Sequence, residues 1–526
     1  MPSTFWGLNI ATSGMNASQI ALNTTSHNIA NVNTTGYSKQ SADITAAEAL
    51  RVHREYGMFG SGVTVVDINR ARESYYDVKY WNNNQNYGQQ EVMHYYMEQI
   101  QLHFNEFGVS TTGFSEVYED LFNALDELSN APSEVNYRNV VIQHASSLTE
   151  YFENISINLQ SIQEECNNEI KNITGRINSY AEGIASLNEQ IRILQMNGGE
   201  PNDLFDKRDV LVDELSKIVN LNVADVLSDI GSSSYRIKIN GQLLVDGDSY
   251  GELTVVPSTA VNKRNEEDMQ GLYDVVWKTG VSFDEYHAET GGELQGYINI
   301  RDGNNDAAIT TEAGAHLRGV DYKGIPHYLK QIDTWMSEFA YKFNSLHVQG
   351  QDLGGNAAQP FFILKDMKEM TIDEMNDLAA NDGKTLVDYI KDNMTADNCM
   401  VNPAILSNPY KMATTYNLTE GVDSQDLVQD FVNIRDDRLY VAGTAQDCFQ
   451  GIVSTIAIDT ATAKSMETNF DNIGKAIINQ RLSVSGVDED EEAMDLVKYQ
   501  TAYELAAKAL TVMSEILDKL INDTAV

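Results

Sequence analysis

The sequence predicts a multidomain α+β protein in which helical ends and a helical rod enclose a strand-rich insertion. Three observations carry that reading. Proline is scarce, eight in 526 residues, which suits long uninterrupted helices. Apolar residues recur at three and four along several segments, with narrow heptad stripes at both ends of the chain. Between the helical segments the apolar period drops to two.

At the amino terminus Leu8, Met15, Leu22 and Ile29 stand seven apart, with small Ala11, Ser18 and Thr25 in the companion positions. Phe114, Val117, Tyr118, Leu121, Leu125 and Leu128 form a stripe that ends at the Asn130-Ala131-Pro132 turn. From Leu148 a seam runs through Phe152, Ile155, Leu159, Ile162, Cys166, Ile170, Ile173, Ile177, Ile184, Leu187 and Ile191 to Leu194, and Gly198-Gly199 stops it. A helix of that length reaches ~70 Å, longer than a compact domain is wide. Cys166 lies on the seam, where a buried inert thiol is expected.

Tyr235, Ile237 and Ile239 alternate with polar residues, Asn240-Gly241 signals a type I′ turn, and Leu243 and Val245 continue, so a hairpin is expected. Val275, Trp277, Val281, Phe283 and the Tyr297-Ile298 stretch are read as further strand. Residues 366–439 are acidic and mixed in pattern and receive no assignment. Helical spacing returns from Phe449 through Ile452, Ile456, Ala463, Met466, Phe470 and Ile473 to Ile477 and breaks at Ser483 to Gly486. Asp488 is expected to cap a last helix, with Glu491 reaching back. In that helix Leu496, Tyr503, Leu510 and Leu517 are seven apart, as are Tyr499, Ala506, Met513 and Leu520. Narrow seams at opposite ends of one chain are satisfied by packing on each other and on neighbouring copies. The candidate assembly interface is therefore Leu8, Met15, Leu22, Ile29, Leu496, Tyr499, Tyr503, Leu510, Met513, Leu517 and Leu520.

Composition narrows the function. Seventy-seven acidic against 36 basic side chains leave a net charge of −41, which disfavours nucleic acid and anionic membranes as partners. Three cysteines without metal spacing provide neither a disulfide framework nor a zinc site. The first charged residue is Lys39, so no basic leader start is present, and no apolar run is long enough to span a membrane. Signatures of metalloproteases, serine hydrolases and phosphate-cradling loops are missing. Asp302, Asn304 and Asp306 imitate the opening of a calcium loop, but Ala307 and Ala313 occupy its glycine and bidentate-carboxylate positions. Asp203, Asp206 and Asp209 recur at helical spacing and are read as a solvated helix face. No catalytic, cofactor or metal residue is assigned.

Ser13-Gly14-Met15, Asn28-Ile29-Ala30-Asn31 and Thr35-Gly36-Tyr37-Ser38 resemble the amino-terminal signature of bacterial flagellar axial proteins, the family of rod, hook and junction proteins. Pro201-Asn202-Asp203-Leu204 with Arg208-Asp209, Gly296-Tyr297 with Arg301-Asp302, and Phe343-Asn344-Ser345-Leu346-His347 with Gln349-Gly350 resemble its hook–filament junction members. So do Gln359-Pro360-Phe361-Phe362, Ser483 to Val487, Asp490 to Ala493 and Tyr499 to Tyr503.

The resemblance implies a discontinuous layered architecture. Residues 1–45 with 483–526 would pair as a coiled coil, and 46–230 with 310–365 and 440–482 would form a helical rod. Residues 231–309 would be a β-rich insertion and 366–439 an outer mixed insertion. It also implies a structural role, with no enzyme activity and no cofactor. Such a protein is exported without a cleaved leader by the flagellar type III apparatus and forms a homo-oligomeric ring outside the cell. Implied partners are the hook protein below, hook-associated protein 3 above, and a cytoplasmic export chaperone on the carboxy-terminal helix. A hook or distal rod protein is the alternative within the family, and a flagellum-anchored adhesin acting through the middle domains is the alternative outside it.

Overall fold

The structure is a computed structural model that describes residues 5–51, 58–104, 113–227, 233–258, 264–283, 290–307, 309–310, 316–317 and 319–522. It is multidomain α+β, mostly helical with small antiparallel sheets. Ala313 of the imitated calcium loop lies outside the described residues.

The chain opens with helix α1 (Trp6–Asn31) and an antiparallel hairpin of β1 (Gln40–Ala46) and β4 (Val63–Arg70), whose tip carries the short pair β2 (Leu50–Arg51) and β3 (Met58–Phe59). The hairpin lies along α1. Trp6 Nε1 donates to Gly60 O at 3.1 Å near the tip, and Asn28 Nδ2 donates to Gln40 O at 2.8 Å near the base. Helices α2 (Ser74–His103), α3 (Phe114–Asn130), α4 (Val135–Met196) and α5 (Asn202–Ile218) follow.

The middle of the chain holds a four-stranded antiparallel sheet of β5 (Asn222–Leu227), β6 (Ser233–Ile239), β7 (Gln242–Asp246) and β8 (Ser249–Tyr250), with β9 (Leu253–Pro257) paired to β10 (Tyr273–Trp277). Asn240 and Gly241 both take positive φ, 47° and 75°, as a type I′ turn between β6 and β7 requires. Then come α6 (Gly292–Asp302), the short pair β11 (Ile309–Thr310) and β12 (His316–Leu317), and α7 (Ile325–His347). A mixed segment follows, with β13 (Phe362–Leu364), α8 (Ile372–Asn381), α9 (Leu386–Asn393), β14 (Cys399–Val401), α10 (Pro403–Ser407) and α11 (Asp426–Asn433). The chain returns through α12 (Ala445–Ser485) and ends with α13 (Glu489–Asn522).

Helix α4 is the spine. Its 62 residues at about 1.5 Å each reach ~90 Å, longer than the seam from Leu148 suggests, because Val141, Ile142 and Ala145 already bury a face ahead of Leu148. Two hydrophobic cores share it. Leu148 to Cys166 enter a core with α3, α7 and the segment from β13 to α11, whereas Ile170 to Ala185 enter one with α5, α6 and the sheet. Trp335 of α7 is the centre of the first core, stacked on Phe152 at 4.5 Å and edge-on to Phe114 at 5.3 Å, with its Nε1 bonded to Ala445 O at 2.8 Å.

Tyr297-Ile298 is not strand but part of α6. Leu294 and Ile298 face the sheet core while Ile300 enters the other one, so this helix is apolar on two sides and shows no single period. Val281 and Phe283 likewise lie outside the strands, with Ser282 making a lone bridge to Val276.

Candidate assembly surface and the joint beneath it

Helices α1 and α13 pack antiparallel. A Cβ on Gly7 would lie 2.9 Å from Met513 Sδ, one on Gly14 would lie 3.9 Å from Ala506 Cβ, and Asn28 Nδ2 donates to Glu492 Oε2 at 3.0 Å. Each advance of seven along α1 is a retreat of seven along α13, which is a heptad register. By the same step Ala21 falls opposite Tyr499. The line of α1 facing α13 is thus Gly7, Gly14, Ala21 and Asn28, small residues that let the backbones approach. Among the expected interface residues, Leu8, Met15, Leu22 and Ile29 are half-buried on α1, and Leu496, Tyr499, Tyr503, Leu510 and Leu517 are half-buried on α13. Met513 and Leu520 are exposed.

Helix α13 carries a second apolar line that the sequence reading missed. Met494, Val497, Leu505, Val512 and Ile516 are all exposed, Met494 by 68% and Leu505 by 61%. At 100° per residue they fall within about a third of the circumference, opposite the face that meets α1. Ile458, Met466 and Ile473 are exposed on α12 as well, although the periodicity there suggests core. The signal for these faces is an apolar residue every one to two turns on more than one side of a helix, which a single-stripe reading overlooks.

Below the coil lies a buried joint. Asn28, 1% exposed, uses all its polar capacity. Its Nδ2 donates to Gln40 O and Glu492, and its Oδ1 accepts from Gln40 N at 3.0 Å and Tyr37 OH at 2.8 Å. Glu492, 2% exposed in the first turn of α13, also meets Lys39 Nζ at 3.1 Å. Asp488 caps α13 as expected, accepting from Asp490 N at 2.9 Å and Glu491 N at 3.2 Å. Glu491 is not seen to reach back; its carboxylate pairs with Lys39 at 2.7 Å. Burial, with Asp203, Asp206 and Glu492 nearby, pushes the Tyr37 hydroxyl well above the usual tyrosine range and keeps it a donor.

The Pro201–Asp209 motif supplies the other half of this joint. Asn202 Nδ2 donates to Ile68 O at 2.6 Å, Asp203 accepts from Gln40 Nε2 at 2.8 Å, and Asp206 accepts from Ser38 and from Arg70. Asp209 pairs with Arg70 at 2.6 Å and Arg72 at 3.3 Å. Arg208 stacks over Tyr235 at 3.7 Å and bonds Asn188 at 3.2 Å. Asp206 and Asp209 are each only 5% exposed, so the solvated face expected for them does not exist. The hairpin brings Arg70 and Arg72 to them from 136 or more positions away. Arg72 also grips Asp77, and Arg481 of α12 spans Asp77 and Asp213, each at 2.9 Å. Burial lowers the Arg72 pKa, but the charges of Asp209 and Asp77 outweigh it and hold the guanidinium above its usual value. A cleft of about 870 Å³ opens beside the joint, between Tyr37, Val210, Leu482 and Val487.

Among the described residues no cluster of three or more His, Cys, Asp or Glu is arranged to hold a metal, and no helix is long and apolar enough to cross a membrane. Asp302 pairs with Arg301 at 2.7 Å, and Asn304 bonds Asn265 and Val320 instead of a cation. Cys166 is fully buried and burial raises its pKa far above the thiol range, as expected of an inert core sulfur.

A coil of both termini on a jointed helical rod is the build of a flagellar axial protein, and the two ends match families of that class. Residues 8–37 match the flagella basal body rod protein family, and 478–523 the carboxy-terminal family of the flagellar basal body rod FlgEFG proteins. Residues 97–362, just over half of the chain, match the helical domain of the flagellar hook-associated protein FlgK, and the chain belongs to the flagellar hook-associated protein 1 family. It is a structural component of the bacterial flagellum, of the hook-associated family.

Flagellar hook-associated protein 1 of Bacillus subtilis strain 168 is 27% identical, over 100% of this chain and 99% of its own length. The proteins of that name from Salmonella typhimurium LT2 and Escherichia coli K12 are each 27% identical, over 98% of this chain and 99% of theirs. The solved flagellar hook junction protein FlgK from Burkholderia pseudomallei is 21% identical, with a TM-score of 0.42 over 55% of this chain and 46% of that one, too low a similarity to argue from.

Proposed function

We propose that the chain is a passive mechanical coupling. Its copies form a ring between hook and filament, the terminal coils packed side by side and the rods outside them. The observation that carries this reading is the pair of apolar faces on α13. One is used inside the chain against α1, and the other, from Met494 to Ile516, is left to water. An apolar line of five residues spaced one to two turns apart is costly to expose and stable when neighbouring helices cover it.

Residues 1–45 with 483–526 are the inner coil in this proposal, 46–230 with 310–365 and 440–482 the rod, and 231–309 and 366–439 the outward insertions. The buried charges of the joint carry bending and torque from coil to rod. Hook protein lies on one side of the ring and hook-associated protein 3 on the other. Before assembly an export chaperone covers the carboxy-terminal helix, and the chain leaves through the type III apparatus for the outside of the cell. The chain catalyses no reaction.

Electron microscopy of cells lacking the gene tests the junction role. Bare hooks with unattached filament protein in the medium are expected, and full-length filaments on those hooks would refute it.

A further inference from the structure

The heptad register of the terminal coil poses a problem that its apolar residues do not solve. Gly7, Gly14 and Ala21 repeat every seven on α1, and Tyr499, Ala506, Met513 and Leu520 repeat every seven on α13. Sliding α13 by one heptad sets Gly14 against Met513, Ala21 against Ala506 and Gly7 against Leu520, a seam as well filled as the native one. The link between α12 and α13 is three residues, 486–488, and with one frayed turn it takes up roughly the 10 Å of such a slip. Apolar packing alone therefore leaves at least two alignments close in energy.

We infer that Glu492, acting through Asn28 and Lys39, is the positioning residue that selects the alignment. In the native register the buried carboxylate receives Asn28 Nδ2 at 3.0 Å and Lys39 Nζ at 3.1 Å. A one-heptad slip sets Asn28 against Tyr499 and takes Glu492 past the end of α1, so an amide that makes four hydrogen bonds loses its partner on α13. A slip in the other direction sets Glu492 against Ala21 with no donor. A buried polar pair that penalises every wrong alignment fixes register at some cost in stability. Because the joint ties Asn28 to the hairpin and thence to Asp206, the same residue also fixes where the coil stands relative to the rod.

Disulfide trapping in the full-length chain tests this. The Cβ of a side chain at position 14 lies 3.9 Å from Ala506 Cβ, within the range a disulfide spans, so Gly14→Cys with Ala506→Cys reports the native register. Gly14→Cys with Met513→Cys and Gly7→Cys with Ala506→Cys report the two slips. With Cys448→Ser in the background, since Cys166 and Cys399 are buried, the native pair is expected to close at least about tenfold faster than either slipped pair. With Asn28→Leu and Glu492→Leu added, a slipped pair is expected to close within about twofold of the native one. Glu492→Gln, which keeps an acceptor for Asn28, retains the original preference. Unchanged preference in the double leucine variant overturns the inference. Failure of all three pairs to close also overturns it, because the polar knot then holds the helices together and does not choose between alignments.

Discussion

Asp206 accepts two hydrogen bonds from Ser38, 2.9 Å from the backbone N–H and 2.8 Å from the hydroxyl, across 168 positions of sequence. With Arg70 at 2.9 Å, that carboxylate fastens the turn after α1, the base of the hairpin and helix α5 in one place. Removing it leaves Ser38 without that acceptor and the Arg70 guanidinium held by Asp209 alone, in a site that water hardly enters. Asp206→Ala is expected to cost about 2 to 4 kcal/mol locally. Hydrogen exchange should show amides of residues 36–42 and 66–72 losing protection while those of α7 keep it. Unchanged protection at both segments would mean the joint is held elsewhere.

The two faces of α13 separate folding from assembly. Leu505 is exposed, so Leu505→Asp should change the stability of the free chain by no more than about 0.5 kcal/mol. Incorporation into flagella, measured by immunoblot of sheared filaments with attached hooks, should nevertheless be lost. Leu510 faces α1, and Leu510→Asp should destabilise the coil itself by about 2 kcal/mol and fail for a different reason. Normal incorporation of Leu505→Asp would show that the outer face is not covered in the flagellum.

His347, the last residue of α7, is an acid-sensitive point. Its Nδ1 donates to Gln359 O at 2.6 Å and its Nε2 accepts from Ala413 N at 3.0 Å, so the folded state holds the ring neutral. Burial lowers its pKa to about 4; the Gln359 carbonyl opposes that shift and the Arg138 charge adds to it. The unfolded ring titrates near 6.5, so the stability from the neutral form is complete above about pH 6.5 and is lost as pH falls towards 4, a loss of at most ~3 kcal/mol. The urea midpoint of the parent should fall more steeply between pH 7 and 4.5 than that of His347→Gln.

Asp333 acts in the other direction. Burial raises its pKa to about 7, the Ala396 N–H opposes the rise, Asp397 and Glu267 add to it and Lys330 opposes it. Its contribution therefore declines as pH rises from about 4 to 7, and Asp333→Asn should gain on the parent between pH 5 and 8.

How much of this was legible in the sequence depended on whether one element or two were needed to see it. The hairpin at Asn240-Gly241, the spine ending at Gly198-Gly199 and the break before Gly486 are local signals of turn chemistry and period, and the structure has them where the residues place them. The facing line of α1 was missed because Gly7, Gly14, Ala21 and Asn28 carry no apolar signal; their role is to be small, which only the partner helix reveals. Asp206 and Asp209 read as solvent-facing because the arginines that neutralise them arrive from the hairpin. Helix α6 was read as strand because both of its sides are buried. Residues 366–439 fold into short helices with polar caps, such as Thr371 with Glu374, too brief to establish a period.

In the proposed ring the outer face of α13, bare in the single chain, is covered by neighbouring copies. Methionine oxidation reads this directly, with Met494 at 68% exposure as the reporter and the fully buried Met336 and Met367 as controls. Brief peroxide treatment should convert Met494 to its sulfoxide in the purified chain and leave it at least about tenfold less modified in intact flagella. Equal oxidation of Met494 in the two states would contradict the account.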